Sequence, residues 1–213
     1  MKNTFIVSCP IDTYSGYGAR ARDFVKSLVE LDKYDVKILS QRWGNTTRGF
    51  IENNKKEWGF LEKLIVPGLQ EKPDYWCMIT VPNEFQTVGK YNIGITAGIE
   101  STVAPSDWIE GCNRMNLILG SSKHTIDVLR SSTFEAKDKK TNQTVGTLEW
   151  KGLSEVLFEG ADTEIYKPVK SNFNLDIKES FAYLFCGHWM AGKIGEDRKN
   201  VGLLIKAFYE TFK

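Results

Sequence analysis

Residues 4–39, TFIVSCPIDTYSGYGARARDFVKSLVELDKYDVKIL, decide the fold. Residues 4–8 form a short apolar run with β-branched side chains, and Pro10 with the turn formers up to Gly18 ends it. That pattern predicts a strand and then a long loop. From Ala19 the apolar residues Ala21, Phe24, Val25, Leu28 and Val29 recur at helical spacing, which gives a helix ending near Leu31 with one face for a core. Residues 34–39 alternate as a second strand. Strand, helix and strand in this order make a right-handed βαβ unit, the opening of a parallel sheet covered by helices.

The same rhythm continues along the chain. Asn45, Thr46, Thr47 and Gly49 signal a loop, and Trp58, Leu61, Leu64 and Ile65 suit a short amphipathic helix. Residues 74–80 and 91–96 read as strands, with Pro82, Asn83, Glu84 and Phe85 in their connection. Pro105 and Ser106 open a helix to about Arg114, residues 116–119 make a strand, and Ser121 and Ser122 cap a helix to about Arg130. Over 131–151 the pattern changes to two strand-like runs flanking a polar stretch, which predicts an inserted β-hairpin. Residues 155–158 restore a core strand.

Lys167, Pro168 and the polar segment after them read as a linker. Residues 181–186 are then a new apolar strand. Residues 198–212 form a helix whose apolar face is Val201, Leu204, Ile205, Phe208 and Phe212. The expectation is an α/β chain with a Rossmann-like parallel sheet over 1–168, a linker over 169–180 and the first βα unit of a second Rossmann-like domain over 181–213. One such unit encloses no core of its own, because independent domains rarely fall below about 40 residues without staples. The reading is therefore a truncated second domain, through a broken gene or a split enzyme completed by a second chain.

Composition narrows the partners. In 213 residues, 28 Lys and Arg meet 27 Asp and Glu, so no net field concentrates the chain on nucleic acid or an anionic membrane. No apolar run approaches the roughly 20 residues of a transmembrane helix, and the first ten residues hold too short an apolar core for a signal peptide, so the expected location is cytoplasmic. Cys9, Cys77, Cys112 and Cys186 make no C-x-x-C pair, which argues against zinc and thioredoxin-like chemistry. Cys77 and Cys186, in apolar runs, are expected to be small buried hydrophobes. His124 is expected at the surface.

Three places carry candidate chemistry. Ser15, Gly16, Tyr17 and Gly18 stand between the first strand and the first helix, where backbone N–H groups and the positive helix end receive a phosphate or a polar ligand. Gly16 to Ala21 also spells G-x-G-x-x-A, the dinucleotide fingerprint. That fingerprint needs its first glycine at the strand end and an acidic residue after the second strand. Here a loop intervenes and the second strand runs into Ser40, Gln41 and Arg42. Glycines that merely turn a loop are the plain alternative. Glu100 follows the 91–96 strand on the side where open α/β sheets bind ligands, although a solvated loop glutamate is the ordinary fate of such a residue. In the last unit Gly187 and His188 precede a loop that ends in Arg198, Lys199 and Asn200 at a helix start. Two cations there oppose the helix dipole, and a diphosphate would compensate them.

Taken in order, these segments resemble a known family. Ser15 to Gly18 after the first strand and Gly98-Ile99-Glu100 come first, followed by residues 116–122 as strand and cap. Glu159-Gly160-Ala161-Asp162-Thr163 with Tyr166-Lys167-Pro168 follows, and then Gly187 and the Arg198-Lys199-Asn200 helix start. The set resembles the GT-B glycosyltransferases of the large retaining group that uses nucleotide-sugar donors. The resemblance implies two Rossmann-like domains facing a cleft, the first holding a sugar or other hydroxyl acceptor and the second the nucleotide-sugar donor. It implies no metal. Lys199 would neutralise the leaving diphosphate beside Arg198, Gly187 and His188, and Glu100 would position acceptor or sugar. Ser15, Gly16, Tyr17 and Gly18 would form the acceptor or phosphate loop. His188 departs from the family, where many relatives carry arginine directly after the glycine, and the family's paired-glutamate donor motif has no counterpart here. Two other readings stay open: a nonenzymatic sugar or nucleotide-sugar binding module, and an NAD(P)-binding Rossmann protein, against which the missing acidic residue after the second strand argues.

Overall fold

The computed structural model describes residues 2–138, 141, 143–170, 174–187, 189, 193–197 and 199–212. The chain divides into two compact units, Met1–Ala161 and Asp162–Lys213.

In the first unit the strands β1 (Asn3–Cys9), β2 (Tyr34–Ser40), β3 (Tyr75–Ile79), β4 (Tyr91–Thr96) and β5 (Leu117–Gly120) lie parallel. Three helices, α1 (Gly16–Leu31), α4 (Ser106–Asn113) and α5 (Lys123–Ser131), link them, with the short α2 (Phe50–Asn53) and α3 (Lys55–Trp58) in the β2–β3 connection. The hairpin strands β6 (Phe134–Lys137) and β7 (Thr144–Leu148) precede β8 (Leu153–Val156), which joins the sheet beside β5. The sheet order is β2-β1-β3-β4-β5-β8, all parallel, an α/β layout that is Rossmann-like.

Alternation along the strands builds two apolar layers. Phe5, Val7 and Cys9 of β1, with Cys77 and Ile79 of β3, face the layer that α1 closes through Ala21, Val25 and Leu28. Ile6, Trp76, Met78 and Ile118 face the other, closed by Ile109 of α4, Ile126 and Leu129 of α5, and Trp150. A sheet buried on both faces needs strands apolar on both faces, and five successive residues of β1, Phe5 to Cys9, are buried.

Helix α1 begins at Gly16, ahead of the expected Ala19. The Ser15 side chain accepts a hydrogen bond from the Gly18 N–H and so starts the helix three residues early. Val29, expected in the core, is exposed because the buried stripe runs through Gly18, Ala21, Arg22, Val25 and Leu28. The short helix expected over Trp58, Leu61, Leu64 and Ile65 is a 3₁₀ helix at Gly59–Leu64, and α2 and α3 precede it. Asn54 separates α2 from α3, with its side-chain amide donating to the Phe50 carbonyl at 2.8 Å. The predicted hairpin is present, antiparallel with Phe134 opposite Leu148, and both of these pack on the second layer. Strand β8 starts two residues before the expected 155–158 run and leaves Phe158 exposed.

In the second unit α6 (Val201–Thr211) forms close to the expected place. Residues 181–186, expected as a strand opening a second Rossmann-like sheet, carry no strand. A strand needs a neighbour for its N–H and C=O groups, and among the described residues of this unit there is none. The same lack of a covering layer leaves Cys186 exposed, against the expectation of burial, while Cys9, Cys77 and Cys112 are buried.

Candidate functional site

From β1 the chain moves outward to β2 at the sheet edge, then returns past β1 to β3. In open parallel sheets the carboxyl ends of the strands at such a reversal, here β1 and β3, are the general place of ligand binding. Loops after β1, β2, β3, β4 and β8 supply its neighbourhood.

The loop after β1 is fixed by buried hydrogen bonds. Thr13 Oγ1 donates to the Pro10 carbonyl at 2.9 Å and lies 2.8 Å from Ser15 Oγ. Arg22 of α1, 4% exposed, donates to the carbonyls of Ile11 and Thr13, each at 2.9 Å, and its guanidinium sits 3.4 Å from the centre of the Phe50 ring. Burial pulls the Arg22 guanidinium below its ordinary value, and the charges of Asp23 and Asp12 oppose that pull. Asp12 accepts from the N–H groups of Gly49 at 3.1 Å and Ile51 at 3.0 Å, which ties the loop to the start of α2.

Gly18 is where this loop and α1 come closest. A Cβ there would stand 2.5 Å from the Thr13 carbonyl oxygen, so only glycine lets the helix start pack on the loop. At Gly16 a Cβ meets nothing within 4 Å.

Tyr17 reaches from the start of α1 to the end of β4. Its hydroxyl lies 3.1 Å from Thr96 Oγ1 at the end of β4 and accepts from the Ala97 N–H at 3.1 Å. Its ring packs on Trp43, from the loop after β2, with centroids 4.2 Å apart. Burial pushes the phenol above its ordinary value. The hydrogen bonds with Thr96 and Ala97 work against this, while the carboxylates of Glu159 and Glu84 add to it. The phenol is therefore a neutral anchor, while the two carboxylates stand within electrostatic reach of it. Glu84 accepts a short hydrogen bond from the Thr80 hydroxyl, just past β3. One turn along α1, Arg20 donates to the carbonyls of Leu157 at 2.5 Å and Phe158 at 2.9 Å, past the end of β8.

Glu100 is exposed at the end of a turn that Gly98 makes possible. Gly98 holds φ +82°, and a Cβ on it would press into Thr125. The Ala97 carbonyl accepts from Ser121 Oγ at 2.9 Å and Thr125 Oγ1 at 3.0 Å, fixing the turn to the start of α5.

Of the residues singled out in the sequence, Ser15, Gly16, Tyr17, Gly18 and Glu100 lie on loops and helix starts beyond the carboxyl ends of β1 and β4 in the first unit. Gly187 and Lys199 belong to the second unit. His188 and Arg198 lie outside the described residues. Lys199 is exposed, and its backbone N–H donates to Asp197 Oδ1 at 3.1 Å ahead of α6. Asp197 is buried and its Oδ2 has no hydrogen-bond partner among the described residues.

Sequence reasoning gave no site role to Trp43, Glu84, Thr96 or Glu159, although Glu84 stands in the connection between two expected strands and Glu159 opens a segment of the family resemblance. Each follows a strand end or closes one, and that position is the signal by which they could have been found. Among the described residues no three His, Cys, Asp or Glu side chains gather as a metal site would require, and no helix is long and apolar enough to cross a membrane. No family model, curated protein or solved structure matches the chain.

Proposed function

We propose that the chain is the acceptor-holding part of a retaining glycosyltransferase, which transfers a sugar from a nucleotide-sugar donor to a hydroxyl acceptor. The observation that supports this reading is the end of the sheet at the β1–β3 reversal, where Tyr17 at the start of α1 packs on Trp43 and its hydroxyl lies 3.1 Å from Thr96 Oγ1 at the end of β4. Aromatic faces with a few placed polar groups suit a hydroxylated ring, and the resemblance drawn from the sequence points to the same chemistry. In this reading Glu100 positions acceptor or sugar. Lys199 and Arg198, with Gly187 and His188, meet the donor diphosphate, and the ammonium of Lys199 stabilises the charge that develops as the glycosidic bond breaks. The donor is a co-substrate, and no step in this scheme calls for a metal.

A nonenzymatic sugar-binding module is the second reading. It is favoured by one feature: among its described residues the second unit has one helix and no strand, too little to enclose a nucleotide. Labelled glycans and nucleotide sugars offered to the purified chain, alone and with a donor-binding chain added, separate the two. The expected result is glycan retention by the chain alone, with transfer only after the addition. Lys199→Ala then lowers transfer by about a hundredfold or more. Glycan retention without transfer under any complement supports the module, and retention of no sugar contradicts both.

A further inference from the structure

Residues 181–186 read Phe-Ala-Tyr-Leu-Phe-Cys, six residues with no charge, no proline and no glycine. Aromatic side chains favour strands, and a short uncharged run of this kind is the pattern by which identical segments of separate chains pair with one another. The run nevertheless carries no strand. Among the described residues none of its backbone N–H or C=O groups has a hydrogen-bond partner, so a full set of ladder groups stands open to another segment.

The side chains around it are open as well. Tyr183 packs on α6, with its ring centroid 6.1 Å from that of Phe208 and 5.6 Å from that of Phe212, and the two segments border an apolar groove of about 610 Å³. Six rings, Phe181, Tyr183 and Phe185 with Phe208, Tyr209 and Phe212, are 45–73% exposed. At about 150–250 Å² for a whole aromatic side chain, they leave roughly 700 Å² of apolar surface uncovered. Leu184, 92% exposed, and the half-exposed Leu204 and Ile205 extend the patch. A monomer's largest apolar patch is about 300–600 Å², and a stable interface takes about 800 Å² from each partner. The patch has the size of one side of a dimer.

Pairing there buries no charge of α6. Its charged residues, Lys206 and Glu210, pair with each other at 3.8 Å and by helical spacing lie on the side opposite Phe208.

We propose that two copies of this chain associate through residues 181–186, which pair as antiparallel strands about a twofold axis at Tyr183, with the apolar face of α6 closing over the join. A twofold there sets Phe181 of one copy opposite Phe185 of the other and Ala182 opposite Leu184, so ring meets ring and the small side chain meets the large one. The strand expected at 181–186 forms when the second copy supplies its neighbour. This association is independent of the sugar reading above.

Sedimentation equilibrium of the full chain tests it. A monomer–dimer equilibrium is expected at micromolar concentration, with amide exchange at 181–186 slowing as the dimer fills. Leu184→Lys is expected to raise the dissociation constant about tenfold or more, because it puts an unpaired ammonium into the join, and to leave the melting of the first unit unchanged. Leu153→Lys, at a 68% exposed position on β8, is expected to leave the dimer intact. With Cys186→Ser in both, oxidised mixtures of Ala182→Cys and Leu184→Cys chains are expected to cross-link to each other more than either does to itself. A monomer at every concentration, an open series of larger species, a dimer that tolerates Leu184→Lys or is lost with Leu153→Lys, or cross-linking that favours like with like overturns the proposal.

Discussion

Gly16 and Gly18 look alike in the sequence and differ in what surrounds them. A Cβ at Gly18 runs into the backbone of Thr13, whereas at Gly16 it meets open space. Gly18→Ala is therefore expected to cost about 1–3 kcal/mol, as overpacking does, while Gly16→Ala is expected to be neutral or stabilising by about 0.5 kcal/mol. Thermal melts of the two variants check this, and equal losses would contradict the assignment of roles. Gly16→Val is expected to weaken glycan binding with little change in melting. Burial also sets a pH limit. It pushes the thiols of Cys9 and Cys77 up, that of Cys112 up to about 12, and the Tyr17 phenol up. These groups stay protonated when folded and ionise on unfolding, where thiols titrate near 9.0 and the phenol near 10.0. Their contribution is complete below the unfolded values and is lost as pH rises toward the folded ones. The urea midpoint is expected to fall above about pH 9, and a midpoint flat to about pH 10.5 would contradict it. A thiol reagent is expected to modify Cys186 quickly and the three buried thiols only on unfolding.

Elements with a strong period are legible in the residues themselves. Strand β1, helix α1 and the hairpin are all anticipated by alternation, by 3.6-residue spacing and by the polar stretch between two β-rich runs. Boundaries are less legible where one side chain decides them. Ser15 advances α1, and Asn54, with its amide on the Phe50 carbonyl, separates α2 from α3. The candidate site is half legible. Ser15 to Gly18 and Glu100 announce themselves by glycines and by position, but Trp43, Glu84 and Glu159 come together only when loops separated in sequence meet at one sheet end. The hairpin illustrates a related point, because its anchor lies just outside it. Trp150 is 1% exposed in the second apolar layer, while Val145 on the hairpin is 68% exposed. Trp150→Ala is expected to cost about 3–5 kcal/mol and Val145→Ala less than about 0.5 kcal/mol, measured by urea denaturation. Similar costs would place the hairpin, rather than its root, in the core.

At the scale of the molecule the two units differ in kind. The first has apolar layers on both faces of its sheet, whereas α6 of the second leaves Leu204, Ile205 and Phe208 exposed beside Tyr183 and Phe185. A patch of that character binds hydrophobic dyes and promotes association. The chain is expected to enhance the fluorescence of an anilinonaphthalene dye, and Leu204→Glu with Phe208→Glu is expected to reduce the enhancement without altering the melt of the first unit. An unchanged signal would locate the exposed apolar surface elsewhere. The central claim, that a sugar is held at the carboxyl ends of β1 and β3, is tested most directly by mapping backbone amide shifts while a neutral oligosaccharide is titrated into the chain. The account predicts shifts concentrated at residues 13–18, 41–43, 80–84 and 96–100. Shifts concentrated instead at the opposite end of the sheet, in the groove lined by Thr4, Lys37 and Gly68, would contradict it, as would no shifts at all.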